Sequence, residues 1–212
     1  MSKRLDFLTK TRPEAASAYF TFLQESGKYL DDKTRFLLSV STKVITGTNS
    51  GLKQYIPHAI RAGASGNEII DTILMSFPAA GLKKVLDAFE VIQEMDLPEL
   101  KLENLDKKPE WHTLIAINDI PNDKPLIKEI KGKRILLYKS GDEIKVYDGL
   151  CPHLGNKLPQ KGEGSKLTCP VHKWVFDLLT GECIENGKRA LHTIPHRIEN
   201  NELQVKVTLF ND

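Results

Sequence analysis

Cysteine is scarce in this chain: there are three in 212 residues, and residues 1–150 have none. A thiol–disulfide cycle needs an ionisable attacking sulfur, so the first half is excluded from that chemistry. Long apolar runs are missing too. No stretch approaches the roughly 20 residues of a membrane span, and the N-terminus lacks the apolar core of a secretory signal. Neither sign of charge is in excess, since 30 Lys and Arg against 28 Asp and Glu give a formal +2 spread over both halves. That balance argues against a nucleic-acid binder. There is no low-complexity tract and no internal repeat. The expectation is a soluble, cytoplasmic protein in a reducing compartment, with no membrane span.

Two of the cysteines stand in Cys151-Pro152-His153 and Cys169-Pro170-Val171-His172, the spacing C-x-H-x15-C-x-x-H. Each cluster offers one thiolate and one imidazole. That set suits a two-iron, two-sulfide cluster ligated unequally, one iron by both cysteines and the other by both histidines. Two thiolates balance two ferric ions and two sulfides to net zero, whereas four would leave a dianion, so the imidazoles ease the addition of an electron. The N–H groups not used for ligation couple proton uptake to cluster charge at high pH. A tetrahedral zinc ion is the competing occupant. Zinc hairpins pair like with like, as C-x2-4-C and then H-x3-5-H, and the mixed order here breaks that habit. Pro152 and Pro170 stiffen the two loops, and Gly155 permits a turn just after His153. Cys183, beyond Thr180-Gly181, reads as a structural thiol in or near a strand.

The pattern resembles the Rieske [2Fe–2S] family over about residues 111–209, which implies a small antiparallel β domain with the ligand loops at its tip. Residues 111–117, Arg134–Tyr138 and Ile144–Tyr147 read as strands, with Ser140-Gly141-Asp142 turning between the last two. Trp174–Asp177 resembles the family's strand after the second ligand pair, Thr180-Gly181 its turn and Glu202–Val207 its closing strand. High-potential members carry two further cysteines across the loops and hydroxyl donors to the sulfurs; Asn156, Val171, Trp174 and Phe176 hold those places here. Without such donors the resemblance implies a potential toward the lower end of the Rieske range, about −150 mV. It is closest in kind to Rieske ferredoxins, oxygenase domains and nitrite-reductase small subunits. Lys173 stands where many relatives have glycine, and with Lys157, Lys161 and Lys166 it makes a candidate docking face for an acidic partner.

Residues 1–98 follow a helical period instead. Apolar positions recur through Ala15–Leu30, Lys33–Val44, Leu52–Ala62, Glu68–Phe77 and Leu82–Met95, separated by Gly27, Gly47, Gly63 and Gly81, which predicts five helices. Asp31 or Asp32 can cap the second, and Ser65-Gly-Asn-Glu68 has the form of a capping box. Asp31–Arg35, Leu37–Val44 and His58–Ile70 resemble the carboxymuconolactone decarboxylase and alkylhydroperoxidase D-like families over roughly residues 10–95. The resemblance implies an all-helical domain that assembles into trimers or hexamers. The peroxidase members' two cysteines, histidine and relay glutamate fall at Thr48, Gly51, Tyr55 and Phe36, none of which can do the original work. Tyr55 and His58 remain as candidate acid–base residues for lactone decarboxylation, and neither is expected to lie in an electron path. Leu74, Phe77, Val85 and Phe89 read as helix–helix or subunit packing.

The expected architecture is therefore multidomain α + β. An all-α unit spans residues 1–98, a linker bounded by prolines residues 99–110, and an antiparallel β Rieske unit residues 111–212. Cys151, His153, Cys169 and His172 are the expected cofactor and metal ligands of one [2Fe–2S] cluster per chain, and no catalytic residue is assigned beyond the candidates His58 and Tyr55. The expected role is an electron-transfer component between a reductase and an oxygenase or other redox enzyme, gathered as a homotrimer or homohexamer through residues 1–98. The alternatives are a small-molecule lyase or oxidoreductase in the helical unit coupled to the cluster, or a redox sensor. The chain has no room for a 2-His-1-carboxylate iron domain, so it is not expected to be a complete ring-hydroxylating oxygenase.

Overall fold

The computed structural model describes residues 3–210. Seven α-helices come first: α1 Lys3–Thr11, α2 Pro13–Glu25, α3 Asp32–Thr46, α4 Asn49–Arg61, α5 Gly66–Met75, α6 Phe77–Ala80 and α7 Leu82–Met95. Two of them, α1 and the single turn α6, lie outside the five that periodicity predicts. Neither contributes a residue to the buried core of this half. Each is short, nine residues for α1 and four for α6, so a helical period has little length in which to show.

Local chemistry fixes the boundaries of the core helices. The Asp31 carboxylate accepts from the Thr34 N–H at 3.0 Å and the Thr34 hydroxyl at 2.7 Å, so Asp31 rather than Asp32 caps α3. The Ser65 hydroxyl accepts from the Glu68 N–H at 3.2 Å and Glu68 Oε2 from the Ser65 N–H at 2.8 Å, which completes the capping box of α5. Glu68 Oε1 also meets Lys33 at 2.7 Å and ties α5 to α3. The core is filled by Phe36, Val40 and Val44 of α3, Leu52, Ile56 and Ala59 of α4, Ile69 and Ile73 of α5, and Val85, Ala88, Val91 and Ile92 of α7. Each set recurs at three or four residues, one face of a helix.

The segment expected as an open linker is packed instead. Residues Pro98–Leu100 and Leu102–Asn104 form two 3-10 turns, and Leu100 and Asn104 are buried. Gly66 explains the close fit: a Cβ there would run into the Glu99 carbonyl and Leu105. The Asn104 amide, donating to the Pro98 carbonyl at 2.8 Å, locks the turns together.

Nine strands follow in three antiparallel sheets. The first sheet has the order β1 (Glu110–Ala116), β9 (Glu202–Val207), β8 (His196–Glu199); the second runs β2 (Leu126–Ile130), β3 (Lys133–Ser140), β4 (Glu143–Asp148); the third runs β5 (Lys166–Thr168), β6 (Val175–Asp177), β7 (Cys183–Glu185). Strand β3 is buried on both faces. Ile135 and Leu137 join one cluster with Ile144, Val146, Leu203 and Val205. Leu136 and Tyr138 join another with Phe176, Leu178, Cys151 and Cys169. The third sheet hangs from that second face, because the Tyr147 hydroxyl of β4 donates to the Leu178 carbonyl at 3.0 Å. The two loops that hold the Cys and His clusters therefore rest on the same apolar layer.

Candidate functional site

Strand β4 ends at Asp148, whose carboxylate accepts from the Leu150 N–H at 3.0 Å and turns the chain into the first loop. There the Cys151 N–H donates to the Asn156 carbonyl and the Gly155 N–H to the Cys151 carbonyl, both at 2.8 Å. Gly155 supplies the left-handed residue that closes this turn, at φ +73°. The second loop, between β5 and β6, closes in a similar way. The Cys169 N–H donates to the Trp174 carbonyl at 2.8 Å and the Lys173 N–H to the Cys169 carbonyl at 3.1 Å. Here the left-handed residue is Lys173, at φ +58°.

The two turns sort their side chains by kind. Cys151 and Cys169 are fully buried in one apolar cluster, within hydrogen-bonding reach of each other. His153 and His172 are half-buried and meet edge to face, their ring centroids 4.4 Å apart. Like donors, mixed along the chain, are paired in space. Trp174 lies flat on His153, with centroids 4.5 Å apart and planes within 5°. A side chain at Gly187 would collide with that indole. Phe176 is fully buried beside the sulfurs, so neither of these aromatics offers them a hydroxyl. All three cysteines are free, and Cys183 lies in β7 with its thiol donating to the Glu185 carbonyl at 3.3 Å.

The Nδ1 atoms of His153 and His172 are both shut off from solvent, and neither has a hydrogen-bond partner. A buried polar nitrogen left unsatisfied costs on the order of 1–3 kcal/mol, and Nδ1 is an atom through which a neutral imidazole can bind a metal. Burial first, then His172 and Arg189, holds His153 below the ordinary imidazole value, which keeps its ring neutral at pH 7 as ligation requires. Burial pushes the Cys151 thiol up to about 12, so its ionisation waits on a cation that takes the proton's place. Among the described residues no three His, Cys, Asp or Glu side chains form a group suited to a single ion.

The candidates of the helical half lie closer to this site than the sequence suggests. His58 is buried, stacks on Phe36 with centroids 5.1 Å apart, and lies 6.2 Å from the Tyr55 ring. Its imidazole is pushed down to about 3, by burial first and then by the charges of Arg61, Arg189 and His153. So weak a base takes no proton near neutrality. His153 of the β half is among the groups whose charge acts on His58. The link is Arg189, which sequence reasoning missed. From the β half it lays its guanidinium over the Phe36 ring at 4.8 Å and donates to the Pro152 carbonyl at 3.3 Å. Arg61 of α4 reaches the same loop from the other side, one of its terminal nitrogens lying against Gly155. Nothing in the local sequence marks either arginine, because each contact joins segments far apart in the chain.

Residues 110–195 match the Rieske [2Fe-2S] domain, and residues 13–94 match the carboxymuconolactone decarboxylase family. The ferredoxin component of the naphthalene 1,2-dioxygenase system of Pseudomonas putida is 33% identical over 102 residues, 47% of this chain and 95% of that protein. The chain belongs to the Rieske [2Fe-2S] family, joined to a carboxymuconolactone decarboxylase domain. The ferredoxin component of the naphthalene 1,2-dioxygenase/salicylate 5-hydroxylase systems of Ralstonia sp. is 30% identical over 99 residues, 46% of this chain and 95% of that protein. Among solved structures, the ferredoxin of carbazole 1,9a-dioxygenase from Nocardioides aromaticivorans is 18% identical, covering 46% of this chain and 96% of that one with a TM-score of 0.37. The cofactor of the Rieske family is a [2Fe–2S] cluster, and the two buried free thiols and two partnerless imidazoles described above fit it. No helix among the described residues is long and apolar enough to cross a membrane.

Proposed function

We propose that this protein is a one-electron carrier of the Rieske ferredoxin type, in which Cys151 and Cys169 hold one iron of a [2Fe–2S] cluster and His153 and His172 the other. It passes electrons between a reductase and an oxygenase or other redox enzyme. The observation that carries the reading is the pair of buried, partnerless histidine Nδ1 atoms beside two buried free thiols. When bound, the cluster supplies a centre that takes up and releases one electron. The surrounding residues set where that exchange happens. Trp174 covers one face of His153, Arg189 holds the Pro152 carbonyl of the first loop, and Arg61 borders that loop from the helical side. The remaining edge lies at His172. Beside the two histidines Leu154 and Val171 stand 41% and 53% exposed, an apolar rim for a partner to cover. Lys157, Lys161, Lys166 and Lys173 are exposed around it and favour an acidic partner.

The helical domain serves as a catalytically degenerate scaffold that gathers several chains, as a trimer or hexamer. Supporting this, Leu38, Leu74, Met75, Phe77, Leu82 and Leu86 are all exposed on α3, α5, α6 and α7, apolar side chains that packing between copies would cover.

Iron and sulfide analysis with electron paramagnetic resonance of the dithionite-reduced protein tests the carrier. Two irons and two sulfides per chain are expected, with an average g below that of all-thiolate clusters. A colourless protein with one zinc per chain overturns the reading.

A further inference from the structure

The two domains leave a cleft of about 570 Å³ between them, walled on one side by α4 and on the other by the β domain. Much of the wall is apolar, with Ile60, Leu150, Pro195 and Phe210 contributing from both sides. The charged groups on it are mostly cationic. Arg61, Lys107, Lys133 and Lys206 face Asp148 and Glu99, and Lys133 and Asp148 already pair with each other at 3.4 Å. The cleft is left with an unmet positive charge.

Arg61 is the group that most needs a partner. One of its nitrogens is engaged, Nη2 donating to Nδ1 of His58 at 3.0 Å, while Nη1, beside Gly155, makes no hydrogen bond among the described residues. Its Nε is shut off from solvent and has no acceptor. Among the described residues no carboxylate lies within ion-pair distance of Arg61; the carboxylate that acts on it is Asp148 of the same cleft, which already pairs with Lys133. Buried charges in proteins are as a rule paired, because an uncompensated one costs several kcal/mol. Arginine's planar fork is also the group best matched to a carboxylate.

We propose that this interdomain cleft binds a small organic carboxylate, with Arg61 receiving the anion and Ile60 and Phe210 packing on its apolar body. The volume falls within the roughly 300–1,000 Å³ of small-molecule sites, and a wall of apolar groups with a few convergent polar ones is their usual make-up. A bare phosphate would leave that apolar wall unused, and a neutral ligand would leave Arg61 unmet. The inference does not rest on the electron-carrier reading: it uses none of the four cluster ligands, although Arg61 also borders the first loop.

Isothermal titration of the intact holoprotein with benzoate and hexanoate, with benzamide as the neutral counterpart of benzoate, tests it. At least one carboxylate should saturate a single site with Kd of about 1 mM or tighter. Benzamide should bind at least about tenfold more weakly than benzoate. Arg61→Gln should abolish the carboxylate signal, and Phe210→Ala, at the far wall of the cleft, should weaken it several-fold without touching Arg61. Far-ultraviolet circular dichroism and iron content establish that each variant is folded and loaded. No saturable binding of either carboxylate overturns the proposal. So does equal binding of benzoate and benzamide, or carboxylate binding that survives both substitutions in folded protein.

Discussion

Each half of the molecule contains a place where its family's chemistry is expected, and the two places differ in what fills them. In the helical half, Phe36, Tyr55 and His58 close their rings on one another, and Arg189 of the Rieske domain caps Phe36. In the β half, two thiols and two imidazoles converge, with both imidazole Nδ1 atoms left without partners. A filled site and an open one look alike as lists of residues. The imidazole nitrogens tell them apart: Nδ1 of His58 accepts from Arg61, whereas Nδ1 of both His153 and His172 is buried without a partner. Arg189 of the Rieske domain packs on the face of this helical pocket. The surfaces differ in the same direction: of nineteen exposed large apolar side chains among the described residues, twelve lie before residue 98. The assembly proposed for the helical domain would cover that surface, whereas the β domain keeps its exposed apolar groups few and places two of them beside the histidines.

The sharpest way to break that contrast is to remove one donor from each place. Cys169→Ser should reduce iron from two per chain to nearly none and bleach the visible spectrum, since a hydroxyl does not replace a buried thiolate. Tyr55→Phe in the other pocket should leave iron content and spectrum unchanged. If Cys169→Ser retains its iron, the open site is not the cluster site.

The next effect concerns the surfaces. Leu74→Glu with Phe77→Glu places two carboxylates on the exposed faces of α5 and α6, and burying them between copies would cost about 2–4 kcal/mol per contact. Light scattering should show the intact wild-type chain as a defined oligomer and this variant as a monomer with its iron retained. A monomeric wild type would remove the scaffold role and leave the apolar faces unexplained.

A smaller effect is expected at the contact between the halves. Arg189→Ala removes a cation–π contact and a hydrogen bond to the Pro152 carbonyl, together worth about 1–3 kcal/mol. The melting temperature should fall accordingly. In a double-mutant cycle with Phe36→Leu the two residues should couple by roughly 0.5–2 kcal/mol. Additive effects would mean that the halves pack there without this latch.

How far the sequence reached depended on whether a feature was local. The C-x-H and C-x-x-H clusters, the Ser65–Glu68 capping box and the Gly155 turn each lie within a few residues and were legible. Strands β5, β6 and β7 have three residues each, too few to display an alternation, and only the family resemblance pointed to β6. Strand β8 is exposed along its whole length, so it carries no hydrophobic pattern at all. The clamp of Arg189 on Phe36 and the reach of Arg61 to Gly155 join residues more than ninety positions apart. No periodicity encodes such a contact; it exists only once both domains have folded.

Lys173 tests the smallest term, and it separates backbone from charge. The resemblance to the Rieske family offers this lysine as a docking group in place of a glycine; the backbone shows why glycine suits the position, since φ is +58° there. That conformation costs an L residue roughly 1–2 kcal/mol, and the turn holds it through the hydrogen bond to the Cys169 carbonyl and the one from the Asn186 amide to the Lys173 carbonyl, at 2.9 Å. Lys173→Gly relieves the strain and adds freedom to the unfolded chain, which offsets part of the gain, so a net stabilisation of up to about 1 kcal/mol is expected. Lys173→Ala keeps the Cβ and loses the same charge, and it should not stabilise. Thermal unfolding of the two variants measures the backbone term, and the salt dependence of reduction by a partner reductase measures the charge. A slower, less salt-sensitive transfer shared by both variants, alongside stabilisation in the glycine variant alone, would show that the lysine is kept for its charge at a cost in backbone strain. If transfer is unchanged in both, the docking face lies with Lys157, Lys161 and Lys166 or elsewhere on the rim.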